Sequence, residues 1–132
     1  MKHIQCIETI LYVTNQHASA EFYERIFRKK ADLNVAGMTE FRFSDYCKLG
    51  LMPSAGIVKI LADKTLHADK GNGIPRCELY FYVDNVRLKY DNAIEVGATL
   101  ISAIEDTDWG DRACYFADLD GHIIAFAEKL DK

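Results

Sequence analysis

The sequence predicts an α+β protein built from two tandem modules, each ordered strand-helix-strand-strand-strand (βαβββ). Three observations predict it. The chain repeats itself: Ile7-Glu8-Thr9-Ile10-Leu11-Tyr12-Val13-Thr14-Asn15 matches Cys77-Glu78-Leu79-Tyr80-Phe81-Tyr82-Val83-Asp84-Asn85, with Glu, Tyr, Val and Asn coincident at an offset of 70 residues. Both segments alternate with period two, as strands do. Each is then followed by apolar residues at helical spacing and by three shorter alternating runs.

In the first copy Leu11 and Val13 share one face of the strand, and Glu8, Ile10 and Tyr12 share the other. Asn15 suits an N-cap, because its side chain can accept from the first unpaired N–H groups of a helix. Phe22, Tyr23, Ile26 and Phe27 form the apolar stripe of that helix. Arg28, Lys29 and Lys30 are expected in its last turn, where cations suit the dipole. Strands follow over Asp32–Ala36, Met38–Ser44 and Cys47–Met52. In the second copy Leu79, Phe81 and Val83 oppose Glu78, Tyr80 and Tyr82. Asp84 or Asn85 caps the next helix, Val86, Tyr90, Ala93 and Ile94 form its stripe, and Gly97 stops it. Strands follow over Thr99–Glu105, Arg112–Ala117 and His122–Lys129, with Asp120-Gly121 as the turn before the last. Module one is thus 1–52 and module two 77–132. Between them, 53–76 contains Lys70-Gly71-Asn72-Gly73-Ile74-Pro75 and reads as a linker or a mobile flap.

Composition bounds the function. With 132 residues, 49% hydrophobic and 27% charged, the chain is one globular domain. A net charge of −4 argues against sequence-independent nucleic-acid binding, which needs a dense basic face. No run approaches the roughly 20 apolar residues of a membrane span, and the start, Met-Lys-His-Ile-Gln-Cys-Ile-Glu, has no signal-peptide core. A soluble, cytoplasmic protein without a membrane partner is expected. Cys6, Cys47, Cys77 and Cys114 include no C-x-x-C pair and read as reduced thiols.

Two stretches carry a family resemblance. Trp109-Gly110-Asp111-Arg112 followed by Asp118-Leu119-Asp120-Gly121-His122 is similar to the Trp-Gly-x-Arg stretch and Asp-Pro-Asp-Gly turn of the vicinal oxygen chelate superfamily, with Leu119 in place of Pro. The opening strand with Asn15 and Phe22-Tyr23 is the second signature. This superfamily includes glyoxalase I, bleomycin-resistance proteins, fosfomycin-resistance enzymes and extradiol dioxygenases. The resemblance covers nearly the whole chain. It implies curved, half-barrel mixed sheets with helices on the convex side and a site between the concave faces.

The resemblance also implies four ligand positions in metal-using members, on the first and last strand of each module. Here they read Glu8, Gly50, Glu78 and Ala125. Two of these cannot ligate, and no imidazole or thiolate remains to hold a transition metal. No cofactor is therefore expected, although two carboxylates could hold a weak Mg²⁺. Glu128 lies three residues past Ala125, on the opposite face. His3, His17, His67 and His122 show no ligand spacing and read as surface or structural residues.

The expected cleft presents Glu8, Tyr12, Glu78, Tyr80 and Tyr82, with Trp109 and Arg112 near the rim and room at Gly50 and Ala125. Aromatic faces beside carboxylates favour a planar or cationic guest. The bland alternative is a half-solvated sheet face of the same alternation. Arg112 either holds a substrate anion or pairs with Asp108, Asp111 or Asp118. Two functions follow: a metal-independent small-molecule binder of the bleomycin-resistance type, or a lactoylglutathione-lyase-like lyase or isomerase using Glu8 and Glu78 as acid and base. A homodimer is expected, because the family pairs modules and sheet edges invite pairing.

Overall fold

The computed structural model describes residues 3–130; Met1 and Lys2 of the N-terminal reading, like the last two positions of module two, lie outside them. The elements run β1 (Ile7–Val13), α1 (Gln16–Phe27), β2 (Leu33–Val35), β3 (Met38–Ser44), β4 (Cys47–Pro53), α2 (Ser54–Leu61), β5 (Glu78–Tyr82), α3 (Val86–Val96), β6 (Thr99–Asp106), β7 (Asp111–Ala117) and β8 (Ile123–Lys129). They form two compact units, Met1–Asn72 and Gly73–Lys132, each with its own open four-stranded sheet. The α+β class and the tandem βαβββ order agree with the sequence reading.

In the first unit the sheet order is β1-β4-β3-β2. β1 runs parallel to β4, with Glu8 beside Lys48 and Ile10 beside Gly50, and β3 pairs antiparallel with β4, with Glu40 beside Gly50. α1 lies against β3 and β4. Its stripe of Phe22, Tyr23 and Ile26 is buried together with Leu11, Val13, Phe41, Leu49 and Leu51. Burying such side chains contributes roughly 1.5–3 kcal/mol each. Asn15 caps α1, its side chain accepting from Ala18 N at 3.0 Å. The other face of β1 stays open, with Tyr12 38% exposed.

The second unit repeats this plan as β5-β8-β7-β6, with α3 against β6, β7 and β8. Tyr80 stands beside Ala125, and Tyr82 beside Ala127. Glu8 and Glu78 are thus equivalent in their own sheets, as are Gly50 and Ala125. Asn85 supplies the cap, accepting from Leu88 N at 3.0 Å, and Gly97 ends α3 at φ 100°.

Two expectations need correction. Arg28–Lys30 do not form the last turn of α1: the helix ends at Phe27, and Arg28 takes the left-handed conformation, φ 56°, that closes it. Arg25 is the cation inside that turn. The 53–76 segment is not loop throughout. It holds α2, packed on β1 and β4 around Ile57, and a 3-10 turn at Ala68–Gly71. The strand bounds otherwise move by at most two residues.

Candidate functional site

On the open face of the first unit, Glu8, Glu40 and Lys48 converge from three adjacent strands. Lys48 Nζ lies 3.5 Å from Glu8 Oε1 and 3.2 Å from Glu40 Oε1. Burial raises the Glu8 carboxyl above its ordinary range, and Glu40 beside it adds to the rise. Glu40 is lowered, because Glu8 in its protonated form donates to it and Lys48 supports its charge. Of the two, Glu8 therefore takes up a proton the more readily. Glu8 Oε2 is buried without a hydrogen bond and points at Gly50, where an added Cβ would meet it at 2.6 Å. The room expected at Gly50 is thus already filled, by Glu8 itself and by Ile10 and Met38.

The second unit builds a different cluster on the equivalent face. Asp111 begins β7, and its side chain has no exposed surface. Its Oδ2 accepts from both tyrosine hydroxyls, Tyr80 at 2.8 Å and Tyr82 at 2.8 Å. Trp109 Nε1 donates to the Tyr80 hydroxyl at 3.1 Å, and Lys129 Nζ donates to the Tyr82 hydroxyl at 3.3 Å. Lys129 also stands 3.8 Å from Asp111 Oδ1 and 4.4 Å over the Tyr82 ring. Burial alone would raise Asp111. The two hydroxyls and the lysine charge outweigh it and hold the carboxyl below its ordinary range. Tyr80 is pushed up to about 12, first by burial. Its bond to Tyr82 raises Lys129, which stays charged.

Local structure explains the cluster. Alternation sets Tyr80 and Tyr82 on one face of β5, while the register puts Asp111 beside Lys129 and Ala113 beside Ala127. Ala113, Ala125 and Ala127 are buried and form a floor on which large rings can lie. Tyr80 and Tyr115 both neighbour Ala125, with ring centroids 6.4 Å apart. The space expected at Ala125 is closed as well, since Ala125 is fully buried. Trp109 is delivered by the β6–β7 turn. There Thr107 N donates to Asp111 O at 2.7 Å, and Gly110 takes φ 92°.

The structure therefore joins Tyr80, Tyr82 and Trp109 of the expected site residues. Tyr12 and Glu78 stand on the open faces of their own sheets. Arg112 is on the other face of β7 and pairs with Asp106 at 2.8 Å, not with Asp108, Asp111 or Asp118. Glu128 is on the helix side, accepting from Val86 N at 2.9 Å. The sequence reading missed three groups: Glu40, Lys129 and the role of Asp111. Alternation along β8 put Lys129 on the same face as Ala125, and that signal was there to use.

The four positions at which metal-using relatives carry ligands do not fit a transition-metal site. Gly50 and Ala125 offer no donor, and Glu8 is already paired with Lys48 and shifted toward its neutral form by burial and by Glu40. Among the described residues, Asp118, Asp120 and His122 hold three potential ligand atoms within 4.8 Å. Asp118 is engaged by the turn itself. It accepts from Asp120 N at 2.9 Å and His122 N at 2.8 Å, and it faces His122 Nδ1 at 2.9 Å.

A pair of tandem βαβββ units with this strand order defines the vicinal oxygen chelate class. The chain belongs to the glyoxalase-like domain family, whose sequence profile matches residues 6–131. No curated protein matches the sequence significantly. Among solved structures, a protein of unknown function from Agrobacterium tumefaciens str. C58 is similar at TM-score 0.80 and 20% identity, covering 98% of each chain. A glyoxalase-related enzyme from Fulvimarina pelagi is similar at TM-score 0.79 and 19% identity, covering 95% of this chain and 88% of that one. A glyoxalase/bleomycin resistance protein/dioxygenase family enzyme from Burkholderia phytofirmans PsJN is similar at TM-score 0.76 and 19% identity, covering 93% and 97%. These likenesses show the fold. Among the described residues, no helix is long and apolar enough to cross a membrane.

Two outcomes test this geometry. Gly50→Ala is expected to cost about 1–3 kcal/mol, the usual range for overpacking, by displacing Glu8. Urea denaturation should show a smaller cost in a Glu8→Ala background, and equal costs would disprove the contact. The second concerns His122. Its bond to Asp118 raises it above the ordinary histidine value of 6.5, with Asp120 adding to the rise. The folded state holds the proton more tightly, so this stabilisation is fully present below that value and is lost as pH rises through the folded pKa. The urea midpoint of wild type should exceed that of His122→Gln by more at about pH 5.5 than at about pH 8.5.

Proposed function

We propose that this protein is a metal-independent small-molecule binder of the glyoxalase/bleomycin-resistance type. Its ligand is a planar aromatic molecule held on the open face of the second unit. One observation carries the reading: a fully buried carboxylate, Asp111, fixes both tyrosine rings through their hydroxyls, while Tyr82 and Trp109 remain 55% and 62% exposed. Large exposed aromatics held in one orientation lose little freedom when a guest stacks on them. The chemistry of the four family positions supports metal independence, since only two of them carry a donor. The cationic guest argued from Glu8 and Glu78 loses support, because Glu8 has Lys48 beside it and leans toward its neutral form.

A second reading has one observation of its own. Glu8, its carboxyl shifted up by burial, stands beside Glu40, its carboxyl shifted down, which is the kind of pairing that divides general acid from general base. A lactoylglutathione-lyase-like lyase or isomerase would use it.

The deciding experiment is calorimetric titration with a panel of neutral planar aromatics. Saturable binding is expected, weakened by Tyr82→Ala and by Trp109→Ala by about 0.5–1.5 kcal/mol each. Binding that needs added Zn²⁺, Ni²⁺ or Co²⁺, with turnover abolished by Glu8→Gln, would select the enzyme instead. We propose also that the chain works as a cytoplasmic homodimer, supported by the sheet edges at β2 and β6. Light scattering at micromolar concentration is expected to give twice the chain mass, and a monomer would refute it.

A further inference from the structure

The donor hydrogens of Tyr80, Tyr82 and Trp109 are all committed internally, and this restricts what a guest can be. The Tyr80 hydroxyl donates to Asp111 and accepts from Trp109. The Tyr82 hydroxyl donates to Asp111 and accepts from Lys129. The one indole N–H, on Trp109, is also committed. What the cluster offers outward is ring surface and one charged group. Lys129 is 60% exposed, whereas Asp111, the anion that balances it, has no exposed surface. An ammonium has three donors. The Tyr82 hydroxyl takes one, and the nearest Asp111 oxygen, at 3.8 Å, lies beyond hydrogen-bond length. Asp111 Oδ1 accepts no hydrogen bond at all. The pair is therefore polarised, with its negative end buried and its positive end exposed beside the rings.

Resting on the binding function proposed above, we infer that the ligand is an aromatic oxyanion, of the aryl carboxylate class. Its ring stacks on Trp109 and Tyr82, and its carboxylate meets Lys129 Nζ. A cationic aromatic is disfavoured on two grounds. The exposed charge has the wrong sign, and Lys129 already occupies the cation position over the Tyr82 ring. Glu78, the carboxylate on this face of β5, lies at the other end of the strand from Tyr82 and does not neutralise Lys129.

The test uses three probes of one shape and different charge: benzoate, benzyl alcohol and benzylammonium. Trp109 is the only tryptophan of the chain, so its fluorescence reports stacking directly. Benzoate should bind about two- to fivefold tighter than benzyl alcohol, the range of one exposed charge pair, and benzylammonium should bind weakest. Added salt should narrow the gap. Lys129→Met should abolish the benzoate preference over benzyl alcohol, and Lys129→Arg should retain it. Circular dichroism of both variants checks that the fold survives the loss of the Asp111 partner; the arginine variant carries the test if the methionine variant unfolds. If benzyl alcohol and benzoate bind equally, or benzylammonium binds best, the oxyanion inference is wrong and the aromatic-binding function stands. If no probe perturbs Trp109 and none binds by calorimetry, the binding function itself fails, and this inference with it.

Discussion

A carboxylate with no exposed surface must be hydrogen-bonded or paired, and the organisation of the second unit follows from how Asp111 meets that demand. Two tyrosine hydroxyls share one of its oxygens, and Lys129 stands near the other. Each hydroxyl, having spent its proton on Asp111, is left as an acceptor, and each is met by a donor: the Trp109 indole and the Lys129 ammonium. The result is a chain of bonds anchored on one charge, in which neither tyrosine turns without breaking two contacts. Residues from β5, the β6–β7 turn, β7 and β8 are joined by this one group.

The two units share a register and use it differently. In both, the first strand runs parallel to the last, so a residue on the first strand stands beside the equivalent position on the last. Gly50 and Ala125 are equivalent, and neither leaves a void. Absence of a side chain at Gly50 admits the Glu8 carboxyl, and the single methyl of Ala125 admits Tyr80 and Tyr115. Packing density forbids empty space of that size in a sheet face that carries large neighbours. Small residues at former ligand positions are therefore read better as packing partners of neighbouring side chains than as vacated room.

Much of the fold was legible because its determinants are local. Period-two alternation, two Asn caps and Gly97 fix element type within a few residues, and the repeat supplied the rest. α2 escaped notice because Pro53, Gly56 and the flanking loop residues mask a short apolar helix whose stability comes from packing on β1 and β4. The site was less legible. Tyr80, Tyr82 and Trp109 could be singled out by alternation and motif, but Asp111 could not be told from Asp108 or Asp118 as a partner of Arg112, and Asp106, which does pair with it, was not among the three. That choice depends on the register of β6 against β7, which shifts at Leu100/Ser102 and again at Ser102/Glu105. Such bulges move a side chain by one position, which in a strand is the difference between its two faces.

The same physics governs the charge that each open sheet face presents. Counting exposed-face residues in the sequence gives Glu8 and Glu78 and suggests an acidic surface. Three-dimensional pairing changes the count. Lys48 on β4 and Glu40 on β3 reach Glu8 from neighbouring strands, so the first unit presents a compensated trio. In the second unit a buried anion is matched by an exposed cation, and burial removes the anion from what a guest can touch. Net charge, summed over a face, is then less informative than which member of each pair is outside. On the face that carries the aromatic rings, the member outside is Lys129.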